Sequence, residues 1–380
     1  MDNLWLTSAL WIGLALAASL VSIRVGISVA LIEIIVGAAA GNVIDLTPTP
    51  WVDYLAVLGA VMLTFLAGAE VDPAALRKHL VPSFAIGLAG FALPFLAVLA
   101  YARWVAGWPW PQAQIAGLAL SCTSVAVVYA VMIETGYNRT ELGKVILAAC
   151  FINDLGTVAA LGMLFANYDR WMLLFIAGTA AALWVLPRFV PWFFKRVGSR
   201  ISEPETKFVL LLLFLLGGLA AAARSEAVLP AYLVGMVLAP FFLGERVLAQ
   251  RMRVMAFTLL TPFYFLKAGA LVKAEAVVAA FGLILVFLGV KMLAKFGILP
   301  ITRWCRFGKT EGMYTTLLMC TGLTFGSIAA LFGYQNGIIS REQYTVLIAA
   351  IIASAVVPTL IAQTWFQPRC EVQEEETDRD

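Results

Sequence analysis

The chain is 380 residues long, 62% hydrophobic and 13% charged, with a formal net charge of +3. A soluble domain of this size has no interior large enough for so much apolar side chain, and apolar runs of 18 or more residues recur, so a globular cytosolic fold is excluded. The composition specifies an all-α polytopic membrane protein whose main partner is the lipid bilayer, with no nucleic-acid partner expected.

Thirteen apolar spans are predicted in chain order: 4–22, 27–43, 54–70, 81–105, 112–134, 142–167, 171–194, 207–223, 227–244, 255–272, 276–300, 313–337 and 343–367. Met1-Asp2-Asn3 carries no basic n-region, so the first span is expected to be retained rather than cleaved. Glu371 to Asp380 is acidic and expected to be disordered. The single histidine, His79, falls near a predicted helix end, and the five cysteines lack metal-ligand spacing. Loops on one side carry seventeen Lys and Arg, from Arg24 to Arg379, against five on the other: Arg103, Arg170, Arg224, Lys273 and Arg341. The positive-inside rule then puts the N-terminus outside and the C-terminus in the cytoplasm, as an odd number of spans requires.

An internal repeat is read at an offset of 201 residues: Thr123 falls on Thr324, Gly136 on Gly337, Glu141 on Glu342, Val145 on Val346 and Ala148-Ala149 on Ala349-Ala350. The offset maps span one onto eight and span six onto thirteen, leaving the seventh as a linker. Six spans plus a linker invert the second repeat, an architecture common among secondary transporters. Asp154 falls on Ala355, so only one half carries the acid.

That acid lies in Asn153-Asp154-Leu155-Gly156-Thr157, inside an apolar run, where a carboxylate costs roughly 2.5–3.5 kcal/mol on insertion scales and so marks a functional site. Asn153, Asp154 and Thr157 share one side of a helix turn and offer only oxygens and an amide, which suit Na⁺, K⁺ or a proton. Spans five and twelve are interrupted by Ser121-Cys122-Thr123-Ser124 and by Thr321-Gly322-Leu323-Thr324-Phe325-Gly326-Ser327. Matched interruptions in repeat-related spans point to broken helices around a transport site. The plain alternative is Ser and Thr bonding back to their own helices. From the inner span ends, Thr123 and Thr324 lie at a depth of about 16 Å and Asp154 at about 18 Å. In span eleven, Lys291 lies at about 13 Å and is the better candidate for a buried ammonium, whereas Lys295 at about 7 Å is within snorkelling reach. Glu33, Glu70 and Asp72 are secondary candidates, expected at interfacial or interdomain contacts. Lys267, nearer the outer end of span ten, is a secondary candidate expected to snorkel at least as readily as to serve function.

Phe65-Leu66-Ala67-Gly68-Ala69-Glu70-Val71-Asp72, Thr123-Ser124, Asn153-Asp154-Leu155-Gly156, Lys291 and Leu323-Thr324-Phe325-Gly326 together resemble the membrane domain of the monovalent cation:proton antiporter-2 family, the Kef-type and NapA-like exchangers. The resemblance covers nearly the whole chain. It implies two inverted six-helix repeats with crossed broken helices and a homodimer in a bacterial cytoplasmic membrane, with an elevator movement and a part in pH homeostasis. On that plan residues 1–80 and 207–275 are the dimerisation scaffold and 81–170 and 276–367 the transport core. Residues 171–206 are the linker and 368–380 a cytoplasmic tail. Two departures stand out: Asn153 occupies a place where many electrogenic relatives have a second acid, and gating by a nucleotide-binding regulatory domain, common in Kef-type relatives, is not expected of this chain.

The expected function is exchange of Na⁺ or K⁺ for protons at Asp154, supported by Ser124, Thr157 and the charge of Lys291, with no cofactor. Burial and a neighbouring ammonium act on such an acid in opposite senses. Because Asn153 cannot ionise, the exchange is expected to be electroneutral and 1:1. A gated K⁺ channel and a sodium-coupled organic anion symporter are the alternatives; an enzyme is disfavoured, since no His-rich or Ser-His-Asp cluster lies at membrane depth.

Overall fold

A computed structural model describes residues 4–25, 28–44, 46–69, 78–134, 137, 140–165, 170–198, 200, 202–223, 227–244 and 246–368. The helices are α1 Leu4–Val25, α2 Val29–Val43, α3 Pro50–Ala69, α4 Leu80–Ala100 with a π-helical end Tyr101–Val105, α5 Trp110–Ser121, α6 Val125–Glu134, α7 Glu141–Leu164, α8 Arg170–Val197 and α9 Pro204–Ala222. They continue as α10 Val228–Gly244, α11 Arg246–Met255, a π-helical turn Ala256–Leu260, α12 Thr261–Ala270, α13 Ala274–Ala279, α14 Phe281–Lys295, α15 Leu299–Trp304, α16 Lys309–Met319, α17 Thr324–Gln335 and α18 Arg341–Trp365.

Among the described residues, nine helical stretches are long and apolar enough to cross a membrane. The expected spans 27–43 and 227–244 fall on shorter apolar helices; fifteen residues of α2 reach only about 22 Å. Span 112–134 is divided between α5 and α6, and span 255–272 between a π-helical turn and α12. Of the thirteen expected crossings, nine fall on helices long enough to span and four on short or divided segments among the described residues. Helix starts are written locally. Thr140 caps α7 by accepting from the Gly143 amide at 3.1 Å. Ser340 and Gln343 bond each other's backbone at the start of α18, a reciprocal cap that satisfies two otherwise orphaned donors.

The helices pack in two groups. In one, α3 lies on α10, and α12 on α2 and α3; in the other, α4 packs on α7, α5 and α14, α17 on α5, and α18 on α14 and α16. The first group is held at backbone distance: a Cβ on Gly68 would overlap the Tyr232 carbonyl oxygen, and one on Gly235 the Phe65 carbonyl oxygen. Only glycine permits that approach. Between the groups run side-chain bonds to backbone or hydroxyl: Tyr232 to the Phe151 carbonyl at 3.1 Å, Tyr264 to Ser327 at 3.1 Å, Tyr344 to the Ala268 carbonyl at 2.8 Å and Arg341 to the Leu271 carbonyl at 3.1 Å. Outside the apolar spans, His79 and Lys78 meet the Glu141 carboxylate at 2.6 and 2.8 Å, so His79 is a hydrogen-bond partner at a helix end.

Candidate functional site

Helices α5 and α16 stop in mid-layer, and the chain resumes helically at α6 and α17 after short irregular segments, 122–124 and 320–323. The local chemistry explains the stops. Ser121 and Thr321 hydroxyls donate to the Leu118 and Leu318 carbonyls at 3.0 and 2.8 Å, and the Cys122 thiol reaches the Ala119 carbonyl at 3.5 Å. These bonds turn hydroxyl and thiol groups back onto carbonyls of the last helical turn, and the Leu318 carbonyl also accepts the Thr321 amide at 3.1 Å. The back-bonding weighed as an alternative to broken helices is thus how the breaks are made.

The two breaks touch. The Ser124 amide donates to the Thr321 carbonyl at 3.0 Å, and the Thr123 hydroxyl donates to the Met319 carbonyl at 2.9 Å. Contact runs through Met319 and Thr321 rather than through Thr324, which is the first residue of α17. The second break thus begins earlier than an offset of 201 from the first would place it.

Helix α7 supplies the polar side chains. Asn153 is fully buried and spans the first break: its Oδ1 accepts from the Thr123 amide at 2.9 Å, and its Nδ2 reaches the Ser121 carbonyl at 3.4 Å. The Thr157 hydroxyl donates to the Asn153 carbonyl at 3.1 Å, which leaves its oxygen lone pairs available. The Ser124 oxygen accepts from the Val127 amide at 3.4 Å and caps α6. Asp154 is 1% exposed, and its Oδ1 has no hydrogen-bond partner among the described residues. An acceptor in that condition is costly, and a carboxylate oxygen without a donor is one able to take a cation or a proton.

Both lysines of α14 are fully buried, so Lys295 does not snorkel. Its ammonium donates to the Thr123 hydroxyl at 2.9 Å and is the cation within electrostatic reach of Asp154. Lys291 donates to Ser354 on α18 at 2.8 Å and lies against the second break, where a Cβ on Gly322 would overlap it. The four-residue spacing puts the two lysines on one face, but inner-end depth was a poor guide because neighbouring helices cover both. Lys267 pairs with Asp53 at 2.7 Å in the scaffold-side group, with the lysine buried and Asp53 half exposed. Glu33 is buried in α2; Glu70 and Asp72 lie outside the described residues. No three His, Cys, Asp or Glu side chains come together among the described residues. Ser354 was missed from sequence, although the 201-residue offset places it on Asn153.

Between the two helix groups lies a cavity of about 580 Å³ whose lining includes Tyr264, Lys267, Phe165, Phe332 and Gln335. Tyr264 carries it toward the second break through Ser327, whose hydroxyl donates to the Thr324 carbonyl at 2.9 Å.

The Thr123 hydroxyl is the joint of this arrangement, serving Lys295 and Met319 at once. Thr123→Val is expected to destabilise the protein by about 1–3 kcal/mol or more, because it leaves a buried ammonium and a buried carbonyl without partners. Thr123→Ser should retain most of the stability. Thermal unfolding in detergent checks this, and identical melting of the Val and Ser variants would refute the assignment.

A family model described as "Sodium/hydrogen exchanger, transmembrane" matches residues 12–367. The probable Na(+)/H(+) antiporter 3 of Methanocaldococcus jannaschii is 24% identical over 361 residues, with 90% of each chain covered. The putative Na(+)/H(+) antiporter YjbQ of Bacillus subtilis is 24% identical over 89% of this chain and 58% of its own length. Cation/H(+) antiporter 17 of Arabidopsis thaliana is 22% identical over 83% of this chain, which spans 41% of that protein. Among solved structures, the fold is similar to that of the sodium proton antiporter MjNhaP1 from M. jannaschii at pH 8, with a TM-score of 0.76 over 95% of this chain and 98% of the other at 14% identity.

Proposed function

Because the chain belongs to the sodium/hydrogen exchanger family, a family of membrane transporters rather than enzymes, we propose that it exchanges Na⁺ or K⁺ for protons by alternating access, with cation and proton competing for Asp154. The observation that carries this reading is a buried carboxylate with an uncommitted oxygen beside two broken helices. Thr157 and the break carbonyls are oxygen donors of the kind a hard monovalent cation takes. The proposed path from one face is the cavity between the helix groups, and the second access is created when the core, 81–170 and 276–367, slides along the scaffold, 1–80 and 207–275.

An inverted repeat of six spans in each half is supported by contacts on both sides of the 201-residue offset. A Cβ on Gly90 would lie 3.3 Å from the Asn153 amide nitrogen; at the matching positions Lys291 donates to Ser354 at 2.8 Å. Thirteen crossings, an outside N-terminus and a homodimer complete the proposal. The direct test is reconstitution in liposomes with a pH dye and imposed gradients of Na⁺, K⁺, Li⁺ and Rb⁺ in turn. Flux that needs no counter-ion, as in a channel, would overturn it.

Exchange is expected to be 1:1 and electroneutral. Asn153 does not ionise, and Lys291 has a hydroxyl rather than a carboxylate for a partner, so only Asp154 changes occupancy. Current on a solid-supported membrane should be absent while the dye reports proton movement. A cation-driven current reversed by an imposed potential would show that a second group, with Lys295 the nearest, titrates with Asp154 as a unit. Lys291→Gln should lower the melting temperature and leave the absence of current unchanged.

A further inference from the structure

Helix α8, residues 170–197, carries one charge deep in its apolar stretch. Arg188 lies seven positions before Lys195, about 10 Å farther into the layer, and its side chain is exposed. The guanidinium donates through Nη1 to the Trp184 carbonyl at 2.9 Å and sits 4.9 Å above the Trp184 ring. A guanidinium has five N–H donors in a fixed fork, so most remain unused, and no carboxylate pairs with it among the described residues. Trp184, Val185, Phe189 and Trp192 join it in lining a groove of about 270 Å³ on the same helix face. Trp192, 57% exposed and within a turn of Lys195, lies at the headgroup level that interfacial tryptophans favour, and Trp184, 67% exposed, extends the groove deeper, toward the acyl chains. Lys195 and Arg196 in the last turn mark that level on the same end.

We propose that this groove binds an anionic phospholipid, with the headgroup phosphate on Arg188 and an acyl chain along Trp184 and Val185. A phosphate matches the guanidinium fork bidentately, and a lipid delivers it at a depth that water-borne anions do not reach. A second copy of the chain docked through the same helix is a poorer fit: α8 contains no acidic residue, so helix-to-helix pairing would oppose like charges.

The test is native mass spectrometry of the full, delipidated chain titrated with phosphatidylglycerol, phosphatidylcholine or inorganic phosphate. The expected result is one more phosphatidylglycerol retained per chain by the wild type than by R188Q, with at least tenfold weaker apparent binding in R188Q. R188K should be intermediate, because an ammonium gives a point charge without the fork, and W184L should lose retention with the charge intact. Equal retention by the wild type and R188Q would overturn the proposal, as would equal uptake of phosphatidylcholine or displacement of the lipid by inorganic phosphate. A change of oligomeric state in R188Q with unchanged lipid retention would overturn it in favour of a contact between copies. If R188Q does not fold, R188K and W184L decide by the same readout.

Discussion

Asp154→Asn is expected to abolish exchange while leaving the protein folded. The substitution keeps the shape of the side chain, and the structure gives Oδ1 no donor that an amide would lose. What it removes is the one buried carboxylate of α7, the group able to carry either a proton or a cation at the breaks. Lys295 stays tied to Thr123, and the break-to-break bonds do not involve residue 154, so melting should stay close to that of the wild type. Dye-monitored exchange in liposomes should fall to the level of empty vesicles for every cation. Asp154→Glu keeps the chemistry with a longer reach and should retain some exchange with altered apparent affinity. Near-normal exchange by a well-reconstituted Asn variant would remove Asp154 from the mechanism altogether.

The second large effect is on stability. Gly235→Ala places a methyl into the Phe65 carbonyl, and Gly68→Ala places one into the Tyr232 carbonyl. In both cases the obstacle is backbone, which cannot rotate away, so α3 and α10 must separate along their length. Overpacking of this kind costs about 1–3 kcal/mol or more. Gly289→Ala in α14 is the control, since a Cβ there has nothing within 4 Å; it should gain about 0.5–1 kcal/mol from helix propensity. Melting curves in detergent separate the two classes. If Gly235→Ala and Gly289→Ala melt alike, the close approach of α3 and α10 is wrong.

Much of this arrangement was legible in the chain. Apolar run length located the membrane helices, and the cost of an acid in such a run singled out Asp154. Ser121-Cys122-Thr123-Ser124 and the longer run from Thr321 to Ser327 located the breaks to within a turn, because small hydroxyl residues and glycine interrupt an apolar helix visibly. Side-chain partners were not legible. Depth along one helix placed Lys295 within snorkelling reach, but depth carries no information about which neighbours cover a helix face; α14 is covered by α4, α18 and α16, and the Lys295 ammonium meets Thr123 of the first break. The exact position of the second break also escaped, because a repeat offset fitted over long helices does not register a shift of two or three residues at one turn. Arg188 drew no attention, since its exposure and its distance from any acid are properties of the packed helix face.

The contacts between the breaks carry a further consequence for energetics. Ser124 to Thr321 and Thr123 to Met319 join backbone to backbone or backbone to hydroxyl within one helix group, whereas the ties to the other group include three tyrosine hydroxyls, one arginine and the Lys273 amide on Thr345. If the core travels as proposed, the second set exchanges partners and the first does not. The bound ion then keeps the same oxygens and the same field from Lys295 on either side of the bilayer. Its intrinsic dissociation constant is equal at both faces, apart from what the fixed wall adds, such as the Lys267–Asp53 pair at one end. A carrier of this kind has little built-in rectification: equal and opposite gradients should drive exchange at similar rates in the two directions, whichever way the protein is inserted.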